Sequence, residues 1–258
     1  MQLVDEGRLA LGARVAELLP EFTLRDAAAA RRITVEQLLS PTSGIDGDQF
    51  LDCVRGDDAL ARFEVASRDF AVLHPPGAMW SYCNAGFVLA GRIVERLRGE
   101  PFDAVLRERL LRPLGLRATG TLAEEAILHR AAAGHAVDLA GGPARVLPVW
   151  SLPRASTPAG STPFTTASEL LDFAALHLGD GTARGARVLS ERALRDMQRP
   201  RATLPPGSLA DAWGLGWMLH DGGGVRPIGH SGVTIGPRAR RLAAPGPRVA
   251  PGPPPHFG

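Results

Sequence analysis

The chain has 258 residues, 45% of them hydrophobic, with 29 basic and 27 acidic side chains and a formal charge of +2. This length supports one or two domains with a real core, and no apolar run approaches the roughly 18 residues that a membrane helix needs. Four arginines and no acid lie in residues 237–258, which leaves −2 for residues 1–236, and an acidic body with a basic tail offers no footprint for nucleic acid.

The opening MQLVDEGRLALG has no basic start and carries Asp5 and Glu6 early, unlike a signal peptide. In TVEQLL, Thr34 and Gln37 form a capping-box pattern, so a short helix is expected to stop near Pro41, with PTSG (41–44) as a structural turn. The stretch DGDQFLD (46–52) lacks the alternating ligands and closing glutamate of a calcium loop. Cys53 and Cys83 have neither metal nor redox spacing and read as free, buried thiols. No metal or cofactor is expected.

Asn84 is placed to cap the next helix, whose mixed face (Phe87, Val88, Gly91, Val94, Arg98) ends at Gly99. FDAVLRERLLRPLGL predicts an amphipathic helix as far as Pro113. Thr166 and Glu169 predict a second capping box on a helix stopped by Gly179, and SERALRDMQRP a further helix closed by Pro200. The period then changes. Trp213, Leu215, Trp217 and Leu219 alternate as in a half-buried strand, DGGG (221–224) is a turn, and VRPIGHSGV returns as the partner strand of a hairpin. After Gly236 neither period survives, and seven of the last 22 residues are proline, so residues 237–258 read as a disordered tail behind a domain of residues 1–236.

GHSG (229–232) is not a nucleophile elbow, because Val233 holds the place of the closing glycine and a hairpin, not a helix, surrounds it. The chain has one tyrosine, Tyr82 in SYCN, and no lysine. The ordered stretches ITVEQLLSPTSGI, PPGAMWSYCNAGFVLAGRIVERLRGEPF, LLRPLGL, PAGSTPFTTASELLDFAAL, WGLGW and GHSGVTIG extend over residues 33–236. Together they resemble the serine beta-lactamase-like family: class C beta-lactamases, D-alanyl-D-alanine carboxypeptidases and related esterases.

The resemblance implies an α+β beta-lactamase/transpeptidase-like fold, here mostly its helical region plus a β-hairpin, with N-terminal and C-terminal sheet strands missing. It implies a catalytic role for Tyr82, as general base on a nucleophile. Asn84, His230, Ser231, Gly232 and Val233 would bind substrate, with the Val233 N–H as half of an oxyanion hole. Histidine at 230, where the family often has lysine, is similar to peptidase and esterase relatives and carries only a partial charge near neutral pH.

The family's Ser-x-x-Lys motif cannot occur in a chain without lysine. By the same resemblance Met1 falls within the nucleophile's helix, and the proline-arginine stretch stands where further strands are expected, so an incomplete reading of the gene is expected. Two functions follow: a serine hydrolase acting on a beta-lactam, D-amino-acid peptide or small ester but inactive in this form, or a non-catalytic ligand-binding relative. The expected partner is a small-molecule or peptide substrate. Oligomeric state and location stay open.

Overall fold

The computed structural model of the chain describes residues 1–136, 142–149, 151–233 and 238–243. Its core is built around one long helix, α2, and that helix positions the candidate site. The short helix α1 (Val35–Leu39) precedes it and carries the predicted capping box: Thr34 N–H donates to Gln37 Oε1 at 3.0 Å, and Gln37 N–H to Thr34 Oγ1 at 3.3 Å. Helix α2 (Asn84–Arg98) ends at Gly99, whose φ of +79° is the left-handed cap that glycine adopts at no steric cost.

Val88, Leu89 and Ile93 of α2 are buried against Leu38, Ile45, Leu60 and Phe63. The sequence permits unusually close packing on this face. A Cβ on Gly91 would fall 2.3 Å from Pro158 Cγ, so the 154–159 turn lies directly on the helix. The same helix buries charge: Arg92 Nε donates to Glu64 at 2.8 Å and its terminal nitrogen to Glu95 at 3.0 Å, with both carboxylates nearly inaccessible. Their remaining oxygens accept from Glu21 N–H and Phe102 N–H, so neither is left unpaired in a medium where that is costly.

The predicted 102–113 helix runs one residue further, to Leu114, and contains a π-helical turn at Arg107–Leu111. Pro113 has no N–H for the Arg109 carbonyl. That carbonyl instead accepts from Gln2 Nε2 at 2.8 Å. Helix α3 (Ala167–Leu178) is capped by Thr166, but Glu169 does not reach back to complete a box. Its carboxylate accepts from the N–H groups of Arg117 and Ala118, both at 2.8 Å, and from the Thr119 hydroxyl, tying a distant loop to the helix start.

A five-stranded antiparallel sheet follows in sequential order: β1 (Ala202–Thr203), β2 (Ala212–Trp213), β3 (Met218–Leu219), β4 (Ile228–Val233) and β5 (Arg238–Ala243). Residues 213–219 are therefore not the single half-buried strand that the alternation predicts. Gly214 N–H donates to the Trp217 carbonyl at 2.8 Å and Gly216 takes φ +77°, so the chain reverses between the tryptophans. The sheet is covered on both faces here: Leu219 and Ile228 pack with Ala174 of α3, while Trp213 and Met218 pack toward Trp80 and Tyr82.

The hairpin expected around the 221–224 turn is present, but its first strand pairs only through Met218, opposite Gly229, and Leu219, opposite Ile228. The disordered stretch expected from residue 237 differs in part. Residues 238–243 pair along the whole of β4, because that strand's outer backbone groups need partners that composition does not register. Residues 244–258 of that stretch lie outside the described residues. Among the described residues no helix is long and apolar enough to cross a membrane.

Candidate active site

The site is assembled from two sides. On the helix side, residues 41–48 run alongside the segment leading into α2, in the same chain direction. Ser81 N–H donates to the Pro41 carbonyl at 2.9 Å and Ala85 N–H to the Gly47 carbonyl at 3.0 Å. The approach is close enough to demand glycine: a Cβ on Gly47 would lie 2.4 Å from the Tyr82 carbonyl oxygen and 2.7 Å from Cys83 Cα.

Cys83, not Asn84, is the N-cap of α2, its sulfur accepting from Gly86 N–H at 3.3 Å. Burial pushes the Cys83 thiol up to about 11, so it stays a neutral, enclosed group, as a structural cysteine does. Because the cap sits one residue earlier than expected, the Asn84 side chain is released from capping. Its Nδ2 donates to Asp48 Oδ1 at 3.3 Å.

The strand side meets Tyr82 through Trp213, which is fully buried. The Tyr82 ring lies 5.8 Å from Trp213, edge to face, and 6.1 Å from the His230 ring; Trp213 and His230 are 5.6 Å apart. Trp80 packs on the same indole at 5.4 Å. The indole N–H groups of Trp80 and Trp213 are buried with no acceptor among the described residues. Beyond His230, Ser231 and Gly232 are exposed, and Val233 ends β4 opposite Arg238. One edge of β4 is taken by β5. On the other edge the ladder with β3 reaches only Gly229 among the described residues, so the 230–233 backbone there has no strand partner.

Burial raises the Tyr82 phenol above its ordinary value, and the neighbouring Asp48 and Cys83 push it the same way. Burial lowers the His230 imidazole below its ordinary value, against a smaller opposing hydrogen bond at Ser231. At neutral pH the two sides therefore present a protonated phenol and a neutral imidazole. The arrangement offers hydrogen-bond donors and acceptors and an aromatic wall, with Asp48 as the anion beside Asn84.

Of the residues singled out from the sequence, Tyr82 and His230 come together across 148 positions of chain, and Asn84 stands two positions after Tyr82. Asp48, Trp80 and Trp213 were not singled out. The one signal for Asp48 is the glycine before it, and glycine has many uses. Cavities elsewhere, one of about 410 Å³ beside Arg107 and Arg184 and an apolar one of about 250 Å³ beside Leu3 and Phe102, gather none of the predicted site residues.

A family model described as Beta-lactamase matches residues 1–245. Penicillin-binding protein 4 of Amycolatopsis lactamdurans is 45% identical over 250 residues, covering 95% of this chain and 65% of that protein. Among solved structures, a D-stereospecific amidohydrolase from Streptomyces sp. superposes with a TM-score of 0.69 at 26% identity, over 93% of this chain and 73% of that one. The D-amino acid amidase from Ochrobactrum anthropi SV3, complexed with L-phenylalanine amide, gives a TM-score of 0.69 at 26% identity over 91% and 65%. The chain thus spans just under two thirds of the length of the Amycolatopsis relative.

Proposed function

The chain belongs to the beta-lactamase family, and from that premise we propose that the surface where Tyr82 meets the 230–233 strand forms a cleft that binds an acyl ligand (a D-amino-acid peptide or amide, a beta-lactam or a small ester) without forming an acyl-enzyme. The observation that carries this reading is the meeting of Tyr82 and His230 beside an unpaired stretch of strand. An extended ligand adds to such an edge through its own backbone, as peptides do in strand addition. The Val233 N–H and the Ser231 hydroxyl lie along the same strand. Relatives named for penicillin binding and for D-amino-acid amide hydrolysis support the ligand class.

Tyr82 sets the limit on chemistry. Ionising a free phenol at pH 7 costs about 4 kcal/mol, and burial next to Asp48 increases that cost. A neighbouring ammonium would offset it, but the chain has no lysine, and a guanidinium does not give up its proton to share a base's role. Tyr82 therefore keeps its proton and donates a hydrogen bond to a ligand oxygen instead of activating a nucleophile. The second Asn84 N–H and its carbonyl oxygen remain for the ligand, since one N–H is committed to Asp48.

Incubation with a chromogenic cephalosporin or a p-nitrophenyl ester is expected to give buffer-level hydrolysis, while the same compounds change tryptophan fluorescence saturably through Trp80 and Trp213. A burst of product stoichiometric with protein overturns the non-catalytic part of the reading. Absence of any saturable signal overturns the cleft.

A further inference from the structure

We propose that Asp48 makes the cleft selective for ligands that carry a free ammonium group, as an unblocked amino acid amide does, over neutral or anionic counterparts. This rests on the reading of the cleft as an acyl-ligand site and names the charge of the ligand it takes.

The position of Asp48 is not accidental loop geometry. Gly47 is wedged against Tyr82 and Cys83 with no room for a side chain, and its carbonyl accepts from Ala85 N–H at 3.0 Å. Two residues upstream, the Ile45 carbonyl accepts from the Cys83 thiol at 3.6 Å, and Asp46 N–H donates to the Ala71 carbonyl at 3.0 Å. The backbone on which Asp48 sits is therefore fixed relative to the start of α2. One Asp48 oxygen engages Asn84 Nδ2 at 3.3 Å. A carboxylate has two oxygens and about four acceptor positions, so the side chain retains acceptor capacity while it is held. It is exposed, hence reachable by a ligand.

Among the described residues Asp48 has no ion-pair partner, and Tyr82 feels it as an anion. His230, on the opposite side, is held toward its neutral form. A charge-assisted hydrogen bond to an exposed carboxylate is expected at the weak end of its range, equivalent to about tenfold in affinity, and weaker as salt rises.

The test uses the full chain and two probes that differ only in charge: D-phenylalanine amide and N-acetyl-D-phenylalanine amide, titrated by tryptophan fluorescence. The charged probe is expected to bind about tenfold more tightly at low salt, with the margin shrinking at high salt. Asp48→Asn, whose amide oxygen still accepts from Asn84, is expected to bind both probes alike. Asp48→Ala is expected to lose the margin and also weaken the neutral probe, because Asn84 loses its anchor. Equal binding of the two probes to the unaltered chain, or a margin that survives in Asp48→Asn, overturns the role of Asp48 and leaves the cleft intact. If neither probe binds the unaltered chain, the reading of the cleft falls and this inference falls with it.

Discussion

The two sides of the site are held by different physics. The helix side is fixed by backbone: Ser81 on Pro41, Ala85 on Gly47, a sulfur cap on Gly86 N–H, and a contact that admits no Cβ. The strand side is fixed by a ladder along one edge and by aromatic packing against Trp213. Gly232, exposed near the end of β4, has open space where a Cβ would go. Close backbone packing leaves a segment few alternatives, whereas an exposed strand end is restrained only by its ladder. For the proposed ligand, the groups on the helix side would thus be set before binding, and those on the strand side would have room to adjust.

Trp213 joins the two sides, so its removal is the most severe test of how they cooperate. It is fully buried and touches Trp80, Tyr82 and His230. Trp213→Ala is expected to cost about 3–5 kcal/mol, the range for truncating a large core aromatic. The measurement is the urea midpoint at unchanged slope. A loss under about 1 kcal/mol would mean that the sides are held independently of this indole.

Two glycines sharpen the contrast at smaller scale. Gly47→Ala places a methyl 2.4 Å from a backbone oxygen, which cannot swing aside as a flexible side chain can. Overpacking of this kind costs about 1–3 kcal/mol. Gly232→Ala meets nothing within 4 Å and is expected to change stability by under about 0.5 kcal/mol, as surface substitutions do. Thermal unfolding of the pair decides it: comparable losses would show that the strand side is as constrained as the helix side.

Much of this was legible in the sequence where one residue type has one use. The Thr34–Gln37 box and the Gly99 stop follow from local backbone chemistry, and both are present. Tyr82 and Asn84 were singled out as candidates because a sole tyrosine in SYCN stands out beside the family's ordered motifs. Asp48 was not readable, because its neighbours Asp46 and Asp52 share its chemistry and only a tertiary contact at Gly47 separates them. Trp213 to Leu219 was misread for a related reason. Glycine between large residues gives the same alternation whether the chain runs straight or reverses, and the positive φ of Gly216 decides between them. The strand at 238–243 was missed because its pairing partner, not its composition, orders it.

The smallest expected effect is also the cleanest to read, because Tyr82 is the only tyrosine and its phenolate absorbance reports one group. Burial, with Asp48 and Cys83 adding to it, holds the folded phenol above its ordinary value. In denaturant the same group is expected to titrate near 10. Between these two values the unfolded chain has released a proton that the folded chain keeps. The unfolded state then binds fewer protons, so stability falls as pH rises through this window and is unaffected by Tyr82 below it. The ultraviolet titration of the native protein should therefore have its midpoint above that of the denatured protein. Asp48→Asn should lower the native midpoint only in part, since burial is the larger cause and Asp48 the smaller. A native midpoint at or below the denatured one would mean that a cation reaches Tyr82. The helix side would then be electrostatically prepared for base catalysis, and the proposed role of Tyr82 as a hydrogen-bond donor in the fixed half would fail.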